Sequence, residues 1–300
     1  MVEKIKIVFL GTSDAVPSAG RNHPAFLLTY LGENILVDCG EGTQRQFRRA
    51  GINPCKLTKI LITHWHADHI LGLPGLIKTL GMSGYRKRLE ICGPKGTKAM
   101  LDQLLRLFEV KKEFPIETRE VSGKFFESKD FYLEAQSMSH GIPCNAYSFV
   151  KKEQIRIDKA KLRKFGIKEG KHIAILKKGK SMRYNGKTYK AKDLTFKAEG
   201  KKISFVLDTS FNDKIERFVK GSDAFICESA YLDELKDIAK RHHHLTVRQV
   251  SGIAKKAKVK KLFLVHISQR YEKNHSAILK EAKKEFKNSE IPEDLSAAEI

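Results

Sequence analysis

The sequence predicts a layered α/β fold, and three observations carry that expectation. Short β-branched apolar runs alternate with amphipathic stretches along nearly the whole 300-residue chain. Several of these runs stop at a chemistry-bearing residue: His64, His140, Asp208, Glu228 or His266. At 41% hydrophobic residues the chain can bury a substantial core, yet no apolar stretch is long enough to span a bilayer. Strand ends in layered α/β folds converge on one edge, where sites are built.

Ile5–Leu10 reads as the first strand, turning at Gly11-Thr12-Ser13-Asp14 into a loop through Arg21-Asn22. Ala25–Tyr30 and Ile35–Asp38, joined by Gly32-Glu33-Asn34, form a hairpin. Gly40-Glu41-Gly42-Thr43-Gln44 opens a basic helix through Arg45, Arg48 and Arg49. Lys59–Ile62 is a buried strand. Ile70–Gly75 marks a loop whose Pro74 is placed to start a helix near Leu76–Leu80. A strand at Leu89–Cys92, an amphipathic helix across Lys95–Phe108 and a strand at Phe131–Ala135 follow. Beyond Gly200 come strands at Ile203–Asp208 and Ala224–Cys227. Helices follow around Leu232–Arg241 and Val247–Lys258, the second capped by Thr246. Lys261–Val265 reads as the final strand and His275–Phe286 as the last helix. No internal repeat and no linker divides the chain, which reads as one domain over 1–300.

Charge is the informative bulk property. Fifty-seven Lys and Arg against 35 Asp and Glu give +22, which favours a polyanionic partner such as nucleic acid. The excess is uneven: Lys151–Gly200 holds 17 basic and 5 acidic residues, more than half of the net charge in one sixth of the chain. That segment, with Gly166, Gly170, Gly179 and Gly186, reads as an inserted arm with a hinge near each end; a solvated loop is the bland alternative. Met1-Val2-Glu3-Lys4-Ile5 has no signal-peptide pattern. The five cysteines are odd in number and lack CxxC spacing, so a reduced, cytoplasmic protein is expected.

Thr63-His64-Trp65-His66-Ala67-Asp68-His69 concentrates three imidazoles and a carboxylate at the mouth of a strand. Neutral imidazole and carboxylate are the donors zinc takes when it keeps an open position for water. On an extended turn, His64 and His66 project to one side while Asp68 and His69 reach the other, so one stretch can seed two adjacent sites. The stretch resembles the HxHxDH signature of the metallo-β-lactamase superfamily. That resemblance implies an αββα four-layer sandwich, two sheets face to face with helices outside.

Two metals need about seven or eight protein donors. The simplest assignment gives His64, His66 and His140 to one ion and Asp68, His69 and His266 to the other, with Asp208 bridging. Taken alone, His140 or His266 reads as an ordinary surface or core histidine; beside the cluster they read as ligands. Such a pair of ions suits in-line hydrolysis of a phosphodiester, whose leaving oxygen still needs a proton. His244, oriented and made more basic by Glu228, is the donor expected, with Asp68 handling the proton of the attacking water. His242 and His243 read equally well as an exposed helix end.

The chain as a whole resembles the ribonuclease Z family. The likeness runs through Phe9-Leu10-Gly11-Thr12, Pro17, Arg21-Asn22, Asp38–Gln44, Ser139-His140-Gly141, Leu207-Asp208-Thr209 and His266–Tyr271. Cys227-Glu228-Ser229-Ala230 and His244-Leu245-Thr246 resemble that family's HEAT and HST motifs. The resemblance implies a homodimer with two Zn²⁺ per subunit (Mn²⁺ or another divalent ion as the alternative). It also implies cleavage of pre-tRNA after the discriminator nucleotide, leaving a 3′-hydroxyl. It implies that the arm grips the tRNA elbow. Gly166-Ile167-Lys168-Glu169-Gly170-Lys171 resembles the arm's glycine-proline motif, with Lys171 in the proline's place. Substrate contacts are expected from Arg21, Asn22, Arg270, Lys171, Lys177 and Lys178. Two other classes compete. A hydrolase of small phosphodiesters, thioesters or lactams leaves the basic arm unexplained. A non-catalytic RNA binder with a structural zinc would be Cys-rich at the metal.

Overall fold

The computed structural model describes residues 4–300; the expected lead-in Met1-Val2-Glu3 lies outside them. The chain divides into two compact units. The first takes residues up to Phe126, Leu133–Phe149 and Lys202–Ile300, and the second takes Glu127–Tyr132 and Val150–Lys201.

In chain order the strands are β1 (Lys6–Gly11), β2 (Ala25–Tyr30), β3 (Glu33–Val37), β4 (Lys59–Leu61), β5 (Leu89–Gly93), β6 (Ile116–Glu120), β7 (Gly123–Glu127), β8 (Phe131–Ser137), β9 (Asn145–Lys151), β10 (Gln154–Ile157), β11 (Met182–Tyr184), β12 (Lys187–Tyr189), β13 (Thr195–Ala198), β14 (Lys201–Val206), β15 (Ala224–Glu228), β16 (Leu262–Val265), β17 (Ser289–Glu290) and β18 (Ala297–Glu299). The helices are α1 (Thr43–Arg49), α2 (Ala67–Ile70), α3 (Leu73–Met82), α4 (Thr97–Leu107), α5 (Lys159–Lys164), α6 (Ala191–Leu194), α7 (Asp213–Val219), α8 (Lys236–Arg241), α9 (Val247–Lys256) and α10 (His275–Glu285).

Two seven-stranded sheets result, ordered β18-β1-β2-β3-β4-β5-β6 and β17-β16-β15-β14-β9-β8-β7. β2 and β3 form the expected antiparallel hairpin, while β3 through β6 run parallel, as do β14 through β17. Aromatic pairs join the two inner faces: Phe9 meets Phe263 at 5.1 Å and Phe26 meets Phe205 at 6.0 Å between ring centroids. α1, α3 and α4 pack Phe47, Leu76, Leu80, Leu101 and Leu105 on the outside of the first sheet. α7, α9 and α10 do the same for the second through Phe218, Val250, Ile253 and Ile278. The four layers are the αββα sandwich. Among the described residues no helix is long and apolar enough to cross a membrane.

The sequence reading ends the strands too early. β17 and β18 follow Val265, and β18 pairs with β1 with Lys6 opposite Glu299. Strands β6, β7 and β9 were also not expected. The second unit is not featureless: Leu162, Ile167, Leu176, Met182, Ala191 and Leu194 bury a small core of their own. Within it β10 pairs with β13, and β11 turns into β12 through Asn185 and Gly186, both at positive φ as a tight hairpin turn demands.

Candidate active site

Loops after β3, β4, β8, β14, β15 and β16 build the site, all within the first unit. The extended turn expected over the histidine motif is half helical. His66 stands at the N-cap position of the single turn of α2, and that turn brings the His69 ring to 4.1 Å from the His64 ring, centre to centre. A Cβ on Gly40 would lie 2.2 Å from the Asp68 carbonyl oxygen, so only glycine lets the chain leaving β3 pass this close.

Among the described residues the side chains gather into three groups of potential metal donors: His64–His66–His140–Asp208, Asp68–His69–Asp208–His266, and a smaller Glu228–His244–His266 whose His244–Glu228 pair is already hydrogen-bonded. Within each group the donor atoms lie within 4.8 Å of one another. Asp208 stands between the first two. One oxygen lies 3.7 Å from His64 Nε2 and 3.5 Å from His140 Nε2; the other lies 3.5 Å from His69 Nε2 and 3.2 Å from His266 Nε2. Asp68 Oδ2 is 3.1 Å from His69 Nε2 and 3.3 Å from His266 Nε2.

Hydrogen bonds on the far side fix which nitrogen points inward. His69 Nδ1 donates to Asp38 at 2.6 Å, and His140 Nδ1 to the His243 carbonyl at 3.0 Å. His64 Nδ1 donates to Thr63 Oγ1, whose own proton goes to Asp38. In the neutral, ligating form of each ring, Nε2 then presents its lone pair inward. His64 Nε2 and His140 Nε2 lie 3.0 and 3.2 Å from His66 Nδ1, close to the edge of about 3.3 Å around a tetrahedral zinc with bonds of about 2.0–2.1 Å. Buried His69 Nε2 and Asp208 Oδ1 have no hydrogen-bond partner. Inward lone pairs without a proton between them repel, and a cation resolves that. This donor set fits divalent metal.

Without a cation the electrostatics divide. Burial works against a charge on His69 and His266, but the Asp208 charge, joined by Asp68, lifts both, His69 well above the ordinary range, while the other three shift down. Burial, then the charge of His69, holds His64 well below the usual histidine range, and burial lowers His66 and His140 too. All three stand as neutral donors, the form that ligates. Burial opposes ionisation of Asp68 and Asp208, but the surrounding imidazoles outweigh it and hold both carboxyls well below their ordinary range.

Beside the second group, fully buried Glu228 accepts from His244 Nδ1 at 2.9 Å and from the Thr209 backbone N–H at 2.7 Å. Burial works against a charged His244, yet the Glu228 charge and hydrogen bond prevail and lift it to about 9. Thr246 and Gln249 form a capping box that starts α9 just after His244. His242 is an exposed helix end. His243 lies at φ 59°, which aims its carbonyl at His140.

The expected substrate contacts divide. Arg270 is exposed, its guanidinium 5.2 Å from the Tyr231 ring centre, and Lys171, Lys177 and Lys178 are exposed on the second unit. Arg21 and Asn22 face inward instead. Arg21 donates to Thr12 Oγ1 and the Pro292 carbonyl, and Asn22 donates to the Glu41 carbonyl at 2.6 Å and, through its N–H, to Asp294. Arg21 Nη1 and the Asn22 amide thus hold loops together, on two half-buried residues. Sequence reasoning passed over Asp38 as a site residue. It is wholly buried at φ 56° and binds Thr63 N, Thr63 Oγ1 and His69 Nδ1. Its signal was there: an Asp closing an apolar run, as Asp208 does.

A family model described as anti-Pycsar protein Apyc1 matches residues 5–287. Ribonuclease Z of Nanoarchaeum equitans is 36% identical over 89% of this chain and 84% of its own length. Ribonuclease Z of Methanocaldococcus jannaschii is 36% identical over 99% and 97%. The crystal structure of human tRNase Z, short form, superposes with a TM-score of 0.71 at 25% identity, covering 98% of both chains. The metallo-β-lactamase fold protein YhfI from Bacillus subtilis gives 0.72 at 18% identity, over 99% of this chain and 100% of that one, which speaks to fold alone. With relatives this similar from end to end and the same fold beneath them, the chain belongs to the ribonuclease Z family on the metallo-β-lactamase fold.

Proposed function

We propose that the protein is a zinc-dependent endoribonuclease that removes 3′ trailers from pre-tRNA, cutting after the discriminator nucleotide to leave a 3′-hydroxyl and a 5′-phosphorylated trailer. The observation that carries this reading is the pairing of two donor groups that share Asp208 with a Glu228–His244 acid beside them. Divalent cations held there would supply Lewis acidity to the scissile phosphate and a nucleophile from water at neutral pH. His64, His66 and His140 would hold one ion and Asp68, His69 and His266 the other, with Asp208 available to both. Asp68 also takes up the proton of the attacking water. His244, charged near neutrality, donates its proton to the departing 3′-oxygen, and Glu228 keeps the ring turned and the charge stabilised.

The second unit serves as a tRNA arm, its exposed lysines meeting elbow phosphates. Arg270 contacts substrate at the mouth of the site. The working form is a cytoplasmic homodimer, with Mn²⁺ an alternative to Zn²⁺. The test is incubation with a 3′-extended pre-tRNA, with and without chelator, and mapping of the product ends. One metal-dependent cut beside the discriminator is expected. No cut, with turnover of a small phosphodiester, would move the substrate class to small diesters.

A further inference from the structure

Among the four buried imidazoles of the two donor groups, His266 is held differently. His64, His69 and His140 each anchor their far nitrogen on a neighbour, whereas buried His266 Nδ1 has no hydrogen-bond partner. Its aim toward Asp68 and Asp208 therefore depends on its backbone. That backbone sits at φ 54°, a left-handed conformation costly for a residue with a Cβ, so something must impose it. The His266 N–H donates to the Thr12 carbonyl at 2.9 Å, and Ser13 pairs with Ile267 in a parallel bridge.

Thr12 is in turn fixed from the far end of the chain. Its hydroxyl donates to Asp294 Oδ1 at 2.8 Å and accepts from Arg21. The other oxygen of Asp294 accepts from the Asn22 N–H at 2.7 Å and from Gln46 Nε2 at 3.0 Å. On either side of Asp294 the backbone is tied down: the Pro292 carbonyl accepts from Arg21, and the Leu295 N–H donates to the Phe9 carbonyl. One carboxylate thus joins the turn after β1, the loop before β2 and helix α1.

We propose that Asp294 is a positioning residue for His266, acting through Thr12. The C-terminal segment thereby sets the geometry of the second donor group and leaves His64, His66 and His140 alone. This rests on reading the cluster as a two-metal site. Asparagine at 294 keeps the shape but turns one acceptor into an amide donor. That donor either meets the Asn22 and Gln46 donors or reverses the bond to Thr12 Oγ1 beside the Arg21 donor and leaves the hydroxyl proton unplaced, so the clamp on Thr12 weakens.

The experiment is a competition titration of the full chain with Zn²⁺ against a chromophoric chelator, read as affinity for each equivalent. For Asp294→Asn, one equivalent should bind as in the wild type and the other about 10- to 100-fold more weakly, the usual effect of losing support behind a ligand. Should that variant not fold, Thr12→Ala must reproduce the selective loss and Thr12→Ser, which keeps the hydroxyl, must restore it. Two tight equivalents in folded Asp294→Asn, equal weakening of both, or identical behaviour of Thr12→Ser and Thr12→Ala overturns the proposal alone. Wild-type protein that binds fewer than two equivalents overturns the two-metal reading and this inference with it.

Discussion

Replacing Glu228 with Gln separates the acid from the rest of the machinery. Gln matches Glu in size, so Oε1 can still accept from the Thr209 N–H inside a site where no room is spare. What changes is the charge 2.9 Å from His244 Nδ1. Glu228 lifts His244 from the ordinary 6.5 to about 9 against the effect of burial, so without it the ring should fall below 6.5. At pH 7.5 the charged fraction then drops from nearly all to under about 10%, a loss of at least about 10-fold in usable acid. A misdirected ring adds to this, and general acids contribute about 10²–10⁴-fold in all. The assay is kcat on a 3′-extended pre-tRNA beside kcat on bis(p-nitrophenyl) phosphate, whose leaving group needs no proton. The variant should lose about 10²-fold on RNA and under about 5-fold on the activated diester. Equal losses on both, or an unchanged rate on RNA, would refute the role given to the pair.

The pH profile carries the same sign: raising pH through the His244 pKa removes the acid, so pre-tRNA cleavage should fall on the alkaline side. Bound divalent cations would pull that pKa down from about 9, so the wild-type limb should lie at or below about 9, and Glu228→Gln should move it lower. Asp38→Asn leaves His69 Nδ1 without its carboxylate, and Zn²⁺ affinity by chelator competition should drop about 10- to 100-fold. Deleting 151–200 should abolish pre-tRNA cleavage and spare the small diester, and if both activities survive, the arm reading is wrong. Changing Lys171, Lys177 and Lys178 together to Ala should reduce the slope of log affinity against log salt by up to about 3.

The candidate metal-binding motif was legible because its chemistry is local: three imidazoles and a carboxylate fall within six residues, and the fold gathers them with His140, Asp208 and His266. The fold was legible wherever a strand is both central and apolar, as at β2, β4, β14 and β15. β6 and β7 are sheet edges with charged, half-exposed faces, IETRE and GKFFE, so no apolar run marks them. β9 is central but partly polar inside. Asn145 reaches the Val121 carbonyl and Ser148 meets Ser204 at 2.8 Å, so its hydrophobic pattern is broken by pairs that only the folded state reveals. Arg21 and Asn22 are expected substrate contacts because polar residues in a glycine loop usually face solvent. Some of their partners within the fold, Pro292 and Asp294, lie some 270 residues away, beyond the reach of any local pattern.

Those same distant partners set a schedule. β18 pairs with β1, and Asp294 meets Thr12 across 282 residues. Closing so long a loop costs entropy that only later contacts repay, so this side of the first sheet is among the last to close as the chain folds. Until it closes, the Thr12 carbonyl that receives the His266 N–H lacks its tether, and the second donor group lacks its final shape. The histidine motif is local, but the centre built on it is a product of the whole fold.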